Sequence, residues 1–283
     1  MDAQNPQDKL KALLADGRIS LGSQLPPDAP AVRKRPIIPV EEAVPGVAMQ
    51  FGGASCWFLR RSLRAIWPEA EQIVNHYRWS VFGPGQALDT QNVSQVLTGL
   101  ITTDPRQVVY LDIESCGFAG TTVFLIGWGY YDGQGDFIVE QALARDYAEE
   151  AGVIAAVADK LRDAKIITTY NGKRFDMPTI CERGIVHRTP VPVPPVHIDL
   201  LDHARRKWKK VFPNCKLQTL EMMLCRRCRK GDIPGSQIPT VYHDFVRTGD
   251  ARKLTMVIHH NLLDVVTLAE VAAHIIAGTA YGD

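Results

Sequence analysis

Between residues 107 and 114 apolar and polar positions alternate, with Val109, Leu111 and Ile113 set against Tyr110, Asp112 and Glu114. A period of two marks a strand, and it puts both carboxylates on one face. A second apolar run, TTVFLIGWGYY (121–131), leads into a DGQGD turn and then DFIVEQAL as a third strand. An Asp-Gly turn between β-rich runs predicts an antiparallel hairpin. Asp146 then caps a helical stretch through Arg162, and KIITTYN (165–171) is a short apolar strand of the kind a helical crossover lays parallel to the first. Farther on, apolar residues at 254, 257, 258, 262, 265, 268 and 272 follow the period of one helix over 254–276.

Three antiparallel strands followed by alternating helix and strand is the order of an α/β, ribonuclease-H-like mixed sheet flanked by helices, expected over residues 105–280 with an N-terminal extension before it. Upstream the periodicity dissolves. Pro26, Pro27, Pro30, Pro36, Pro39 and Pro45 interrupt residues 1–45, which predicts a flexible or surface-lying arm, and 46–104 reads as an accessory region with a helix near Gln91–Leu100. At 283 residues and 46% hydrophobic content the chain can bury a substantial core. No run of 18 apolar residues exists, and MDAQNPQDKLKALLADGRIS lacks the apolar centre of a signal peptide, so a soluble, cytoplasmic protein without a membrane partner is expected. Six scattered cysteines fit a reducing compartment, and the single Cys225-x-x-Cys228 near Cys215 reads as isolated thiols in a basic loop before a closed zinc site.

The net charge of +1 changes meaning once it is resolved along the chain. Residues 201–230 carry Lys/Arg at 205, 206, 207, 209, 210, 216, 226, 227, 229 and 230 against only Asp202 and Glu221. HARRKWKKVFPNCK interleaves Trp208 and Phe212 with bases that include Arg205, Arg206 and Lys209, the composition of a surface that neutralises phosphates and stacks nucleobases. A solvated charged helix with Trp208 packed inward is the bland alternative. Lys173 and Arg174, close before Asp176, are placed to meet a substrate phosphate, and Gly172 would let the backbone approach it.

Two acids side by side on an apolar strand cost several kcal/mol unless a cation or solvent stands between them. Asp176 in TYNGKRFDMP and Asp264 in HHNLLD bring the acids at element ends to four, enough to hold two divalent ions. Singly, each reads first as a solvated or capping residue, and only the combination points to a metal site. Asn261 is a candidate cap before Asp264, and Asp199 in HIDLLDHARR reads as the cap of the helix after it.

LDIESCG, TYNGKRFDMP and HHNLLD, in that order, resemble the three motifs of the four-acid (DEDD) superfamily of 3′-5′ exonucleases. CKLQTLE, GDIPGSQIPTVY and HNLLDVVTLA are similar to a bacterial ribonuclease-H-like, exonuclease-type family, and the resemblance spans residues 107–277. It implies a metal-dependent nuclease that hydrolyses phosphodiester bonds of DNA or RNA, foremost a 3′-5′ exonuclease acting on a single-stranded 3′ end. It also implies Asp112, Glu114, Asp176 and Asp264 as ligands of two Mg²⁺ or Mn²⁺ ions, with a fifth residue activating the attacking water. In the superfamily that residue is a tyrosine four positions before the last acid or a histidine five before it; this chain has His260 at the first spacing and His259 at the second. On one continuous helix the two are offset from Asp264 by about 40° and about 140°, which favours His260. The alternatives are an endonuclease, a nucleic-acid-binding module without exonuclease activity and, more remotely, an actin-like ATP-binding protein.

Overall fold

The structure is a computed structural model. It describes residues 11, 15, 16, 36–67, 69–82, 95–117 and 120–277, with 77–82, 95 and 96 described by backbone alone. Most of the expected arm over 1–45 lies outside the described residues. The chain divides into Met1–Pro36 and Ile37–Asp283, and every strand of the sheet belongs to the second unit.

Seven strands form one mixed sheet: β1 (Val47–Phe51), β2 (Ala54–Ser62), β3 (Val108–Ser115), β4 (Val123–Tyr131), β5 (Phe137–Leu143), β6 (Ile166–Thr169) and β7 (Val196–Asp199), in the order β1-β2-β5-β4-β3-β6-β7. The first five pair antiparallel, while β6 and β7 run parallel to β3. The main helices are α1 (Ala70–Phe82), α2 (Gln95–Thr102), α3 (Glu150–Leu161), α4 (Asp176–Val186), α5 (Leu200–Trp208), α6 (Leu217–Leu224), α7 (Ile238–Thr248) and α8 (Leu254–Ile276). The three-strand meander and the parallel crossover are as the periodicity predicts. Asp146 caps the turn that opens α3, accepting from the amides of Ala148 and Glu149.

Two strands escape the sequence reading. β1 and β2 extend the sheet beyond β5, inside the stretch read as accessory. Their signal was local: Gly52 and Gly53 both stand at positive φ, +56° and +83°, in a two-residue hairpin turn that non-glycine residues rarely adopt.

Each face of the sheet carries a core. Val109, Leu111, Phe124 and Ile126 pack with Val153 and Val157 of α3 and with Tyr242 of α7, whose ring stacks on Phe124 at 3.9 Å. Val108 and Tyr110 point the other way, into a core built with Val265, Leu268 and Ala272 of α8 and with α1, α5 and α6. By length and composition α8 could cross a membrane, but 83% of its apolar window is buried, which makes it a core helix here.

The glycines of IGWGY in β4 seat α8. A Cβ on Gly127 would stand 2.0 Å from Asn261 Oδ1, and one on Gly129 would stand 2.8 Å from Val265 Cγ1. Asn261 and Val265 are one turn apart, so the helix lies along a groove that two missing side chains leave open. Gly127→Ala should therefore cost about 1–3 kcal/mol by overpacking a rigid sheet–helix contact, read as a lower midpoint in urea denaturation. An unchanged midpoint would mean that Asn261 can leave its slot freely.

Candidate functional site

Strand β3 is buried from 108 to 111 and only half-buried from 112 to 115, so Asp112 and Glu114 stand where the covering layers open. They share the α8 face with Tyr110 through the strand period. Asp176 is the first residue of α4 and is 7% exposed. Asp264 comes from the middle of α8.

Asp199 shapes the loop that delivers Asp176. Its carboxylate accepts from the backbone N–H of Leu201 at 3.1 Å, the expected cap, and also from Asn171 at 2.7 Å and Lys173 at 3.2 Å. Asn171 turns the chain at φ +65°. One buried side chain thus ties the β6–α4 turn to the start of α5.

The four acids feel one another. Burial first, then Asp264, Glu114 and Asp176, pushes the Asp112 carboxyl well above the usual carboxylate range. Glu114 is raised by burial and then by Asp264, Asp176 and Asp232. Asp176 is pushed up to about 7, mainly by burial, with its own amide and that of Ile113 opposing the rise. Asp264 is also raised by burial, against Arg229 and His260.

An amide relay fixes Asp112. Asp112, Gly127 and Gln141 lie in one row across β3, β4 and β5, and Asn261 occupies the space above the glycine. Asn261 Nδ2 donates to Asp112 Oδ2 at 2.9 Å, while Gln141 Nε2 donates to Asn261 Oδ1 at 2.8 Å and to the Ile258 carbonyl at 2.9 Å. Arg61 Nη1 donates to Gln141 Oε1 at 3.2 Å. Asn261 is therefore no cap: α8 begins seven residues earlier and its side chain is wholly buried.

His260 and Asp264 share one face of a continuous α8. Nε2 of His260 lies 3.4 Å from Asp264 Oδ2, and Nδ1 donates to Asp232 at 2.8 Å. His259 points to the exposed side. The loop between α6 and α7 supplies groups the sequence reading assigned no role. Arg229 pairs with Asp264 Oδ1 at 2.5 Å, with Glu221 at 2.5 Å and with Asp232 at 3.3 Å. Arg227 pairs with Glu221 and Glu270. The string GDIPGS contained Asp232, yet nothing local links it to a histidine 28 residues away.

In donor type this set suits hard divalent cations. All four groups are carboxyls, the Glu114 side chain makes no hydrogen bond or ion pair among the described residues, and Asp112 engages one of its two oxygens through Asn261. As the side chains stand, no three His, Cys, Asp or Glu among the described residues converge to hold an ion. Arg229 supplies the positive charge at Asp264 instead, so ion binding there requires an exchange of partners.

Of the expected nucleic-acid contacts, Lys173 and Arg206 line one cleft with His197 and His203, at the carboxyl ends of β6 and β7. Arg174, Arg205 and Lys209 are exposed. Trp208 is a correction: it is 2% exposed, stacks on Phe212 at 5.9 Å and belongs to the core beneath α5. Leu200, Ala204 and Trp208 recur every four residues, so the buried stripe outweighs the basic composition around it. No base can stack on that indole while it lies in the core.

The family pattern agrees with the fold. The RNase_H superfamily pattern matches residues 109–276. The chain is 32% identical over 175 residues to "Uncharacterized protein YprB" of Bacillus subtilis (strain 168), covering 60% of this chain and 42% of that relative's length. Among solved structures it resembles the family B DNA polymerase of the hyperthermophilic archaeon Pyrobaculum calidifontis, with TM-score 0.47 and 16% identity over 61% of this chain and 27% of the polymerase. The pattern spans more than half of the chain, with β3 at its start and the end of α8 at its limit, and it supports a nuclease-type function. The chain belongs to the RNase_H superfamily.

Proposed function

We propose that the chain is a metal-dependent nuclease, foremost a 3′-5′ exonuclease, that hydrolyses phosphodiester bonds of DNA or RNA with two Mg²⁺ or Mn²⁺ ions. One observation carries this reading: four carboxyls from β3, α4 and α8 are gathered where Asp264 raises the proton affinity of the other three and Asp176 that of Asp112 and Glu114. Such a cluster favours added positive charge over apolar contact. Asp112, Glu114, Asp176 and Asp264 would hold the ions, which supply an activated water and charge stabilisation at the leaving oxygen. Asn261 keeps one oxygen of Asp112 engaged and so orients the other. His260, held by Asp232, accepts the proton of the attacking water at Nε2.

End-labelled single- and double-stranded DNA and RNA, incubated with Mg²⁺, Mn²⁺ or a chelator, test the reading. Stepwise shortening from the 3′ end that requires the metal supports it. Internal cuts would make it an endonuclease, and no cleavage of any substrate would remove the nuclease reading.

Exposed bases on and after α5 should carry strand affinity. Neutralising Arg205, Arg206, Lys209 and Lys210 together should weaken binding and flatten its dependence on salt, because each phosphate contact releases counterions. An unchanged salt slope would assign those residues to an ordinary solvated face.

A further inference from the structure

A cavity of about 990 Å³ opens between α8, the loop over 225–230 and the segment from Arg61 to His76. Arg229 lines it and also holds Asp264, so the cavity adjoins the acid cluster. Trp67, Ile73, Leu224 and Leu262 give it an apolar wall.

Its charge is unbalanced: the acids of the lining are the exposed Glu69 and the buried Glu270, against Arg61, Arg226, Arg227, Arg229 and Lys230. Arg227 and Arg229 are matched by Glu221, Glu270, Asp232 and Asp264. Three other cations of the lining are not. Arg226 and Lys230 are exposed and make no hydrogen bond or ion pair among the described residues. Arg61 is half-buried, and its one hydrogen bond goes to the neutral amide of Gln141. Burial pulls its pKa below the usual arginine value, the signature of a guanidinium without a counter-charge. One of its five N–H donors goes to Gln141, and the residue lines the cavity.

We propose that this cavity binds a phosphate-bearing nucleotide, with the phosphate on Arg61, Arg226 and Lys230 and the base against the apolar wall. A planar guanidinium matches phosphate oxygens in pairs, and the cavity is large enough for one nucleotide unit. The choice of a nucleotide over another organic anion rests on the nuclease reading. The phosphate can come from the substrate strand or from a free mononucleotide.

The test is fluorescence anisotropy of the full chain in EDTA, with 5′-labelled oligothymidylates of graded length and with unlabelled thymidine monophosphate as competitor. Arg61→Met and the double variant Arg226→Ala, Lys230→Ala should each weaken binding at least about tenfold, the loss of a charge-assisted hydrogen bond. Competition by the mononucleotide identifies a free nucleotide as occupant; affinity that grows with length, without such competition, identifies the strand. Circular dichroism checks Arg61→Met for folding, and the double variant, which removes only unpartnered surface groups, decides if it fails. Affinities within twofold of wild type for both variants, or a wild-type chain that binds neither probe, overturn the proposal. Cleavage in Mg²⁺ is scored separately: its absence sinks the nuclease reading without touching the binding result, and normal cleavage with unaltered binding sinks the cavity alone.

Discussion

Asp112→Asn and Asp176→Asn should each lower phosphodiester cleavage by about 10³-fold or more, while the metal-free variants melt higher than wild type at neutral pH. Both effects follow from the same charges. The Asp176 carboxyl is pushed up to about 7 by burial and by Asp199, above an ordinary value of 3.8, and Asp112 and Glu114 move in the same direction. The folded state therefore binds protons that the unfolded chain releases between about pH 4 and 7. Stability of the metal-free wild type falls as pH rises through that window and stays low above it. Asparagine carries no such proton, so Asp176→Asn should lose part of the slope and gain about 5 °C or more at pH 7.5. Mg²⁺ or Mn²⁺ should raise the wild-type melting temperature at pH 7.5 and much less at pH 5. Asp199→Asn is the comparison: its amide oxygen can still accept from Asn171 and Leu201, so a loss within about tenfold is expected. Wild-type cleavage by Asp176→Asn, or a pH-independent melting temperature, would remove the acid cluster from the chemistry.

His260→Ala should lower single-turnover cleavage at saturating Mg²⁺ by roughly 10²- to 10⁴-fold, the range of a positioned general base, and His259→Ala should stay within about threefold. The continuous α8 decides between them. Nε2 of His260 faces Asp264 at 3.4 Å, and the Asp232 carboxylate accepts from Nδ1, which leaves Nε2 as the basic nitrogen. His259 lies on the exposed side of the same turn and lines the neighbouring cavity. Asp232→Asn keeps an acceptor for Nδ1 but loses the carboxylate that also pairs with Arg229, so it should fall between the two. A large loss confined to His259→Ala would overturn the assignment of the base.

The sheet and its long helix were legible because the evidence for them is local. Alternation in 107–114 reports a strand whatever lies beyond it, and the 3.6-residue recurrence through 254–276 reports a helix with one buried side. That second pattern was enough to put His260, and not His259, on the face of Asp264. The Gly52–Gly53 turn and the Leu200, Ala204, Trp208 stripe were equally local. Each was outweighed by its surroundings, one by a stretch read only as an accessory region and the other by a run of bases around an aromatic.

What no local pattern could carry is partnership. Asn261 meets Asp112 across 149 positions and Gln141 across 120, in a slot that exists because β4 has a glycine between them. Arg229 reaches Asp264 from a loop 35 positions away. A sequence period records which side of an element is buried, since that depends only on the element's own geometry. Which polar group stands opposite depends on strand order and helix docking, so the tertiary structure alone decided that the acids share their site with an arginine, a further aspartate and an amide relay.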